Sequence, residues 1–378
     1  MSPESITKKE ISSLRLTISK LIQGKDLSSE EAKESMSLIF DCLKNEIDGI
    51  DIILSTFFFG LTSKGLSMEE LSGIASAMEE SKEIRFNYKS KKPIITGGGT
   101  GGDNIPTINV TTPAILIAAS AGALTVKSGA KAFSSTTGAI DLVTSMGINA
   151  YADPKTIKKC LDDVGTAVWA SSVVYPWMDP LIRFRNHPSF SAIVPIFSSL
   201  RLVIATSLNP FSVKRQIRGT AMMDTELIAK GLYETGHERA LVPIGYGPNN
   251  EIKIDEISTI GKTVISELKQ SSEIETYEVH PRDFGIRIGV ANEIRSAENH
   301  NENAKITTRI LSGQDRSSRR DLVLVNAGAI LYLADSAKDI KEGYEMAIES
   351  VDSGGALKKV EDLVKVSNGN LKAFSSLI

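Results

Sequence analysis

The sequence predicts an α/β protein in which a small N-terminal helical bundle precedes a larger α/β domain with a mostly parallel central sheet. Residues 6–90 contain helix-like segments and no clear strand signal. From Pro93 onward, short apolar runs rich in β-branched residues alternate with helical stretches, as in parallel-sheet proteins. We therefore expect domains at residues 1–90 and 91–378, with helices from about 153–200 docking on the first.

Local signals set the helices of the first domain. Ile6–Gln23 has the apolar spacing of an amphipathic helix. Leu27-Ser-Ser-Glu-Glu-Ala and Ser67-Met-Glu-Glu each place a serine before acidic residues, which is typical of a capped helix start. Ile52–Leu61 is apolar almost throughout, which predicts a buried helix or part of an interface, and Gly65 ends it.

The second domain is predicted from strand-like apolar runs. These are Ile94–Ile95, Thr125–Lys127, Ala167–Trp169, Leu202–Ala205, Ala240–Ile244, Glu251–Ile254 and Thr276–Val279. The first of them leads into a glycine-rich turn, and the small apolar run Pro113–Ala123 beyond that turn is long enough for a helix.

The glycine-rich segment, residues 97–112, carries the strongest functional signal. Glycine lets a ligand approach the main chain closely, and a glycine turn between strand and helix directs free N–H groups at one point, which suits a phosphate. Asp103, Thr111 and Thr112 could hold a divalent metal and phosphate oxygens there. Neither a Walker loop nor a dinucleotide fingerprint is present, and a tight connection without a ligand remains the alternative.

Three further groups of residues are candidates for the same chemistry. Lys127, at a strand end, can reach a phosphate, or it is a solvated loop lysine. Ser134 and Ser135 open a hydroxyl-rich helix entry that binds a second phosphate or only caps the helix. Asp255 and Glu256 follow a strand and suit Mg²⁺, or they begin a helix near Ile257.

Composition excludes several classes of protein. A formal net charge of −3 gives no general attraction to nucleic acid, so we expect no nucleic-acid partner. Two cysteines, distant in sequence, suggest reduced thiols in the cytoplasm. The sequence has no secretory signal and no run that could span a bilayer, so we expect no membrane association. None of the four histidines has zinc-site spacing, and His187 is the one we expect near a pocket, with a purely structural histidine as the alternative.

These motifs together resemble anthranilate phosphoribosyltransferase and the wider class it shares with pyrimidine nucleoside phosphorylases. Gly99-Thr-Gly-Gly-Asp103 matches the pyrophosphate loop of that family, and Asn109-Val-Thr-Thr112 matches the step that follows it. The later features occur in the family's order: Lys127, Ser134-Ser135 with Gly138 and Asp141, Arg239-Ala-Leu-Val, Asp255-Glu256, Pro281-Arg-Asp-Phe-Gly285 and Asn326-Ala-Gly328. The likeness covers nearly the whole chain.

The resemblance implies a nucleoside phosphorylase/phosphoribosyltransferase-like fold and a Mg²⁺-dependent transfer from 5-phosphoribosyl 1-pyrophosphate (PRPP) to an aromatic acceptor, as in tryptophan biosynthesis. It implies a homodimer formed through the helical domain. The residues it assigns to PRPP are Gly99, Thr100, Gly101, Gly102, Asp103, Asn109, Thr111, Thr112, Lys127, Ser134 and Ser135. The metal would be held by Asp255 and Glu256, with Thr111 as a further ligand.

The acceptor half departs from the family pattern. The usual Lys-His-Gly-Asn-Arg run is Lys127-Ser-Gly-Ala-Lys131, so Ser128 and Ala130 stand where the family has histidine and asparagine facing the anthranilate. Arg201 corresponds loosely to the family's carboxylate-binding arginine. A site built from hydrogen-bonding groups discriminates strongly when those groups are lost, so anthranilate and another aromatic or heterocyclic acceptor both remain open.

Two other functions compete with this one. The simplified Lys127-Ser-Gly129 run suits a pyrimidine nucleoside phosphorylase, which uses phosphate in place of pyrophosphate. The altered acceptor residues suit a non-catalytic homologue that binds nucleic acid. The acidic pair Asp255-Glu256 favours the phosphoribosyltransferase.

Overall fold

The computed structural model describes residues 8–132, 137–183 and 209–378. The chain divides into a helical unit, Met1–Arg85 with Ser171–Pro210, and an α/β unit, Phe86–Ala170 with Phe211–Ile378. This architecture confirms the predicted fold class.

In chain order, the helices of the described residues are α1 (Lys8–Ile22), α2 (Ser29–Lys44), α3 (Ile50–Lys64), α4 (Met68–Glu80), α5 (Thr111–Ser120), α6 (Ala139–Ser145), α7 (Pro154–Val164), α8 (Met178–Arg183), α9 (Thr225–Glu234), α10 (His300–Leu311), α11 (Ser318–Leu333), α12 (Ile340–Asp352), α13 (Gly355–Val366) and α14 (Leu371–Ser375). The strands are β1 (Ile94–Gly99), β2 (Leu124–Gly129), β3 (Thr166–Ala170), β4 (Arg215–Gly219), β5 (Arg239–Tyr246), β6 (Lys253–Ile254), β7 (Thr263–Leu268) and β8 (Ile274–Val279).

Capping and apolar burial explain the helical unit. Ser28 and Ser67 cap α2 and α4, and in each case the glutamate three residues on accepts a hydrogen bond from the serine N–H. Helix α3 buries Leu54, Phe57, Phe58 and Leu61 on one side and ends at Gly65, as the sequence predicts.

The sheet of the α/β unit has the order β3-β2-β1-β4-β5-β7-β8, with β6 paired to β5. Strands β1 to β5 pair with one another in parallel. The pairs β5–β6, β5–β7 and β7–β8, at one side of the sheet, are antiparallel. Two strands were not expected from the sequence, β4 and β7, and the expected strand Leu202–Ala205 lies outside the described residues.

The segment 153–200, which was predicted to dock on the helical bundle, is divided between the two units. Its helix α8 contacts α2 in the helical unit, whereas its first helix, α7, packs against β3 and α13 in the α/β unit. The apolar face of α7, which includes Ile157, Cys160 and Leu161, is buried there.

Two nearly fully buried helices form the centre of the α/β unit. Every residue of α5 from Thr111 to Ala119 is buried, and α11 packs against both α5 and α12. The crossing of α11 and α12 is close because Gly328 faces Gly343: a Cβ on Gly328 would lie 2.5 Å from the backbone nitrogen of Tyr344.

Within the described part of the chain, no helix has both the length and the apolar character needed to cross a membrane. Cys42 and Cys160 are free and buried.

We expect Gly328→Ala to destabilise the α/β unit by about 2 kcal/mol, because the new methyl group must push α11 and α12 apart. Chemical denaturation monitored by circular dichroism measures the loss. Gly236→Ala is the matched control, since a Cβ there meets no atom within 4 Å and the substitution carries only the cost of its positive φ, roughly 1 kcal/mol. Equal losses in the two variants would contradict the close crossing.

Candidate active site

The candidate site lies at the carboxyl ends of β1, β2 and β4. The last three residues of β1 are glycines, so this end of the strand has no side chains. Gly97, Gly98 and Gly99 are strand residues, paired with Ile217, Arg218 and Gly219 of β4. A Cβ on Gly98 would lie 2.7 Å from Nη1 of Arg218, and one on Gly99 would lie 1.7 Å from Oδ2 of Asp255. These glycines therefore leave the space that charged side chains from neighbouring segments occupy.

The turn after β1 presents main-chain groups to the same place. Gly101 and Gly102 have φ of 75° and 98°, in the left-handed region that glycine adopts without strain. The Thr100 N–H donates to the Gly219 carbonyl at 2.9 Å, and the Gly101 N–H donates to Oδ2 of Asp255 at 2.7 Å. Residues 100–103 are half-buried, so the turn stays open to a ligand.

Asp255 and Glu256 lie directly against this turn. The N–H of Asp255 donates to Oδ1 of Asp103 at 2.9 Å, and the Thr111 hydroxyl, in the first turn of α5, donates to Oε1 of Glu256 at 2.9 Å. Both acids are buried. The alternative that they begin a helix near Ile257 is wrong, because the residues after Glu256 lead to β7 without a helix.

Asn326 holds the segment that carries the acids. Its Oδ1 accepts the N–H of Ile257 at 3.0 Å, and its Nδ2 donates to the Ile257 carbonyl at 3.1 Å. The resemblance gave Asn326 no role of its own. Its buried amide fixes the backbone beside Glu256, and only a contact across 69 residues could have indicated this role.

Burial makes the negative charges of the site costly. Burial, and then the nearby Asp255 carboxylate, raise the pKa of Asp103 to about 8. Burial, and then Asp255, raise the pKa of Glu256 well above its ordinary value. Oxygen ligands gathered at this charge density favour a hard divalent cation.

The positive charges of the site are costly for the same reason. Burial, and then repulsion by Arg218, lower the pKa of Lys127 to about 8. Burial lowers the pKa of Arg218 to about 10, against the attraction of Asp255 and Glu256. Lys127 is buried, with Nζ donating to the Gly97 carbonyl at 3.1 Å, so the alternative of a solvated loop lysine is wrong.

Sequence reasoning missed Arg218. The run Arg215-Gln-Ile-Arg-Gly219 lacks the apolar character used to find strands, so β4 was not predicted and its arginine was not placed. The pairing of Gly219 with Gly99, which places Arg218 beside β1, is visible only in the folded structure.

The structure describes half of the other expected site residues. Asn109 donates to the Thr137 carbonyl at 3.2 Å, and Thr112 is buried in the first turn of α5. Ser128 and Ala130 are half-buried at and just beyond the end of β2. Four of the expected residues lie outside the described part of the chain: Ser134, Ser135, His187 and Arg201.

The donor atoms at this edge suit Mg²⁺. Across residues 8–132, 137–183 and 209–378, no three His, Cys, Asp or Glu side chains form a complete metal-ligand set. Mg²⁺ keeps several of its waters and needs few protein oxygens. The carboxylates of Asp255 and Glu256 with the Thr111 hydroxyl provide oxygen ligands only, and the charge of a cation would relieve the crowding of the acids.

Comparison with known proteins agrees with this geometry. A family model described as glycosyl transferase family, a/b domain, matches residues 91–357, and one described as glycosyl transferase family, helical bundle domain, matches residues 16–82. The anthranilate phosphoribosyltransferase of Acetivibrio thermocellus is 32% identical over 94% of this chain and 97% of its own. That of a Bacillus cereus strain is 33% identical over 93% and 97%.

Solved structures give the same result. The anthranilate phosphoribosyltransferase of Thermus thermophilus is similar with a TM-score of 0.78 and 25% identity, covering 93% of this chain and 99% of that one. The Saccharomyces cerevisiae enzyme in complex with PRPP and Mg is similar with a TM-score of 0.80 and 25% identity, covering 94% and 98%.

The raised pKa of Asp103 predicts that Mg²⁺ binding releases protons. Below pH 8, Asp103 holds a proton that a divalent cation must displace, so affinity for Mg²⁺ should rise from pH 6 to pH 8 with release of roughly one proton near pH 7. Calorimetric titration in two buffers of different ionisation enthalpy measures the release.

Asp103→Asn is the companion variant in this titration. It removes one of the protonated groups, so it should release fewer protons than the wild type. Identical heats for the wild type in both buffers would contradict the assignment.

Proposed function

We propose that this chain, which belongs to the glycosyl transferase family, is a Mg²⁺-dependent phosphoribosyltransferase that transfers the phosphoribosyl group of PRPP to an aromatic amine. The curated relatives carry the name anthranilate phosphoribosyltransferase over nearly the whole chain. Anthranilate is therefore our first candidate for the acceptor.

One observation carries the proposal: carboxylates and unpaired cations meet at the side-chain-free end of β1. The Asp255 carboxylate accepts the Gly101 N–H at 2.7 Å, and Lys127 donates to the carbonyl of Gly97 in β1, the strand that leads into that turn. A metal–diphosphate complex carries both signs of charge, so it can neutralise the two sets at once.

The roles of the residues follow from this arrangement. Main-chain groups of residues 99–103, together with Asn109, Thr111, Thr112 and Lys127, would hold the pyrophosphate and ribose. Asp255 and Glu256 would hold Mg²⁺ with Thr111 beside them. Ser134 and Ser135 would bind phosphate.

The chemistry requires stabilisation of a leaving group. As the bond from the anomeric carbon to pyrophosphate breaks, negative charge grows on the pyrophosphate oxygens, and N–H donors and Lys127 placed there stabilise that charge. Bound Mg²⁺ would neutralise part of it. The acceptor amine attacks with its own lone pair and loses a proton from a weakly basic nitrogen, so the enzyme needs to orient it rather than to supply a covalent nucleophile.

The acceptor is proposed to bind near Ser128 and Ala130. Ser128 is paired with Trp169 of β3, and the Ala130 carbonyl accepts the N–H of Ile140 in α6. A hydroxyl and a methyl group at these two positions provide a smaller and less polar lining than histidine and asparagine. Aromatic amines larger than anthranilate should therefore be tolerated.

A panel assay tests the activity. With Mg²⁺ and PRPP, we expect pyrophosphate release that depends on an aromatic amine, measured with anthranilate, substituted anthranilates and nucleobases. Asp255→Asn with Glu256→Gln should lower the rate roughly 100-fold or more, because leaving-group stabilisation is lost. Glu251→Gln, an exposed site nearby, is the matched control.

Two other results would replace this proposal. Phosphate-dependent release of base from pyrimidine nucleosides, without PRPP turnover, would indicate a nucleoside phosphorylase. A salt-dependent gel shift without either activity would indicate a nucleic-acid-binding homologue.

We also propose that the chain forms a homodimer through its helical unit. Helices α1 and α3 contact each other and expose large apolar side chains, Leu16, Ile22, Ile52 and Phe59, of which Ile52 is 69% exposed and Phe59 is 56% exposed. An apolar surface of this kind on a bundle is typical of a subunit interface. Buried free thiols support a cytoplasmic location.

Sedimentation velocity tests the dimer. The wild type should sediment as a dimer at micromolar concentration, and Phe59→Glu should sediment as a monomer, since a charge in the centre of an apolar interface is strongly unfavourable. Ile288→Glu, at a 73% exposed position in the α/β unit, should remain dimeric. A monomeric wild type would contradict the proposal.

A further inference from the structure

Arg218 and Lys127 place two cationic groups over one glycine. Nη1 of Arg218 is 2.7 Å, and Nζ of Lys127 is 3.6 Å, from the position that a Cβ on Gly98 would occupy. Lys127 comes from β2 and Arg218 from β4, so they approach β1 from its two neighbouring strands. Their mutual repulsion helps lower the pKa of Lys127.

Neither cation has a carboxylate partner. Within the described residues, Lys127 donates only to the Gly97 carbonyl and Arg218 only to the side chain of Gln216, and neither forms an ion pair. Two positive charges side by side, that of Lys127 buried and that of Arg218 half-buried, are unfavourable unless an anion joins them. The arrangement is therefore a built anion site at the end of β1.

A chain of hydrogen bonds fixes the direction of the Arg218 guanidinium. Its Nε and Nη2 both donate to Oε1 of Gln216, at 3.1 and 2.8 Å. This orients the Gln216 amide so that its Nε2 donates to Nε2 of His237 at 2.8 Å. His237 Nδ1 then carries the ring proton and donates to the Leu232 carbonyl at 3.1 Å.

We propose that Arg218 binds the pyrophosphate group of the donor together with Lys127, and that Gln216 and His237 are positioning residues that aim its guanidinium. The inference rests on the proposed function. The two bonds to Gln216 occupy one edge of the guanidinium, and Nη1 is left to face the space above Gly98. A guanidinium held in this way can stabilise the charge that grows on the leaving group.

Binding of inorganic pyrophosphate with Mg²⁺ to the full chain tests the proposal. By titration calorimetry, Arg218→Met should weaken binding roughly 100-fold, and Arg218→Lys should recover only part of the loss, because a lysine cannot make the forked contact. Arg282→Met, which removes an 80% exposed arginine, should bind like the wild type. In kinetics, Arg218→Met should raise the KM for PRPP and lower kcat, with the KM for the acceptor unchanged.

Thermal stability separates a binding role from a structural one. Without ligand, Arg218→Met should melt near the wild-type temperature, because it removes a half-buried charge together with two hydrogen bonds to Gln216, but it should lose most of the stabilisation that Mg²⁺ and pyrophosphate give the wild type. Should that variant fail to fold, Arg218→Lys and Gln216→Leu carry the test, and both must weaken pyrophosphate binding several-fold.

A double-mutant cycle tests the positioning role of Gln216. Gln216→Leu should weaken pyrophosphate binding about 10-fold in the wild type and have no further effect in Arg218→Met, because it acts through the arginine. If the fold-losses in pyrophosphate binding of the two single variants multiplied in the double variant, the positioning role would be overturned. Unimpaired binding by folded Arg218→Met would overturn the inference alone, whereas a wild type that does not bind Mg²⁺-pyrophosphate at millimolar concentration would overturn the proposed function with it.

Discussion

The absence of side chains at the end of β1 is the constraint on which the site depends. Carboxyl ends of adjacent parallel strands meet at one edge of a sheet, so groups on β2 and β4 can converge only if the strand between them leaves room. Any side chain on Gly98 would compete with Arg218, and any on Gly99 would displace the Asp255 carboxylate. Pairing with β4 keeps these glycines extended in spite of their intrinsic freedom.

This convergence creates a site that is unfavourable without a ligand. Burial and neighbouring charges raise the pKa values of Asp103 and Glu256, and they lower those of Lys127 and Arg218. Packing in the rest of the α/β unit must offset the cost of burying these charges. The buried helices α5 and α11 provide apolar contacts that do so. Unfavourable burial of charge that is confined to one edge of a well-packed sheet is typical of a binding site.

Sequence patterns predicted the donor half of the site where the signal was local. The glycine turn, Lys127 after an apolar strand, and the adjacent pair Asp255-Glu256 are each visible within a few residues. The two-unit architecture was likewise predicted from helical periodicity before Pro93 and strand–helix alternation after it. Strand β4 was missed because its sequence is polar, although it lies in the middle of the sheet between β1 and β5. Polar side chains are tolerated there because Gln216 and Arg218 satisfy one another.

The contacts that orient the acids could not be predicted, because they join distant parts of the chain. Strand β6 has only two residues, too few to fix Asp255 and Glu256. Their geometry comes instead from Asp103, Thr111 and Asn326, which lie 152, 145 and 69 residues from the groups they bond.

The donor half is therefore a single hydrogen-bonded network in which a change at one position disturbs several segments. The proposed acceptor positions Ser128 and Ala130 lie instead at the end of β2 and just beyond it. A substitution there changes the lining of the proposed acceptor site without moving the groups proposed to hold the diphosphate. This difference explains how a chain can keep the whole donor constellation while its acceptor residues differ from the family pattern.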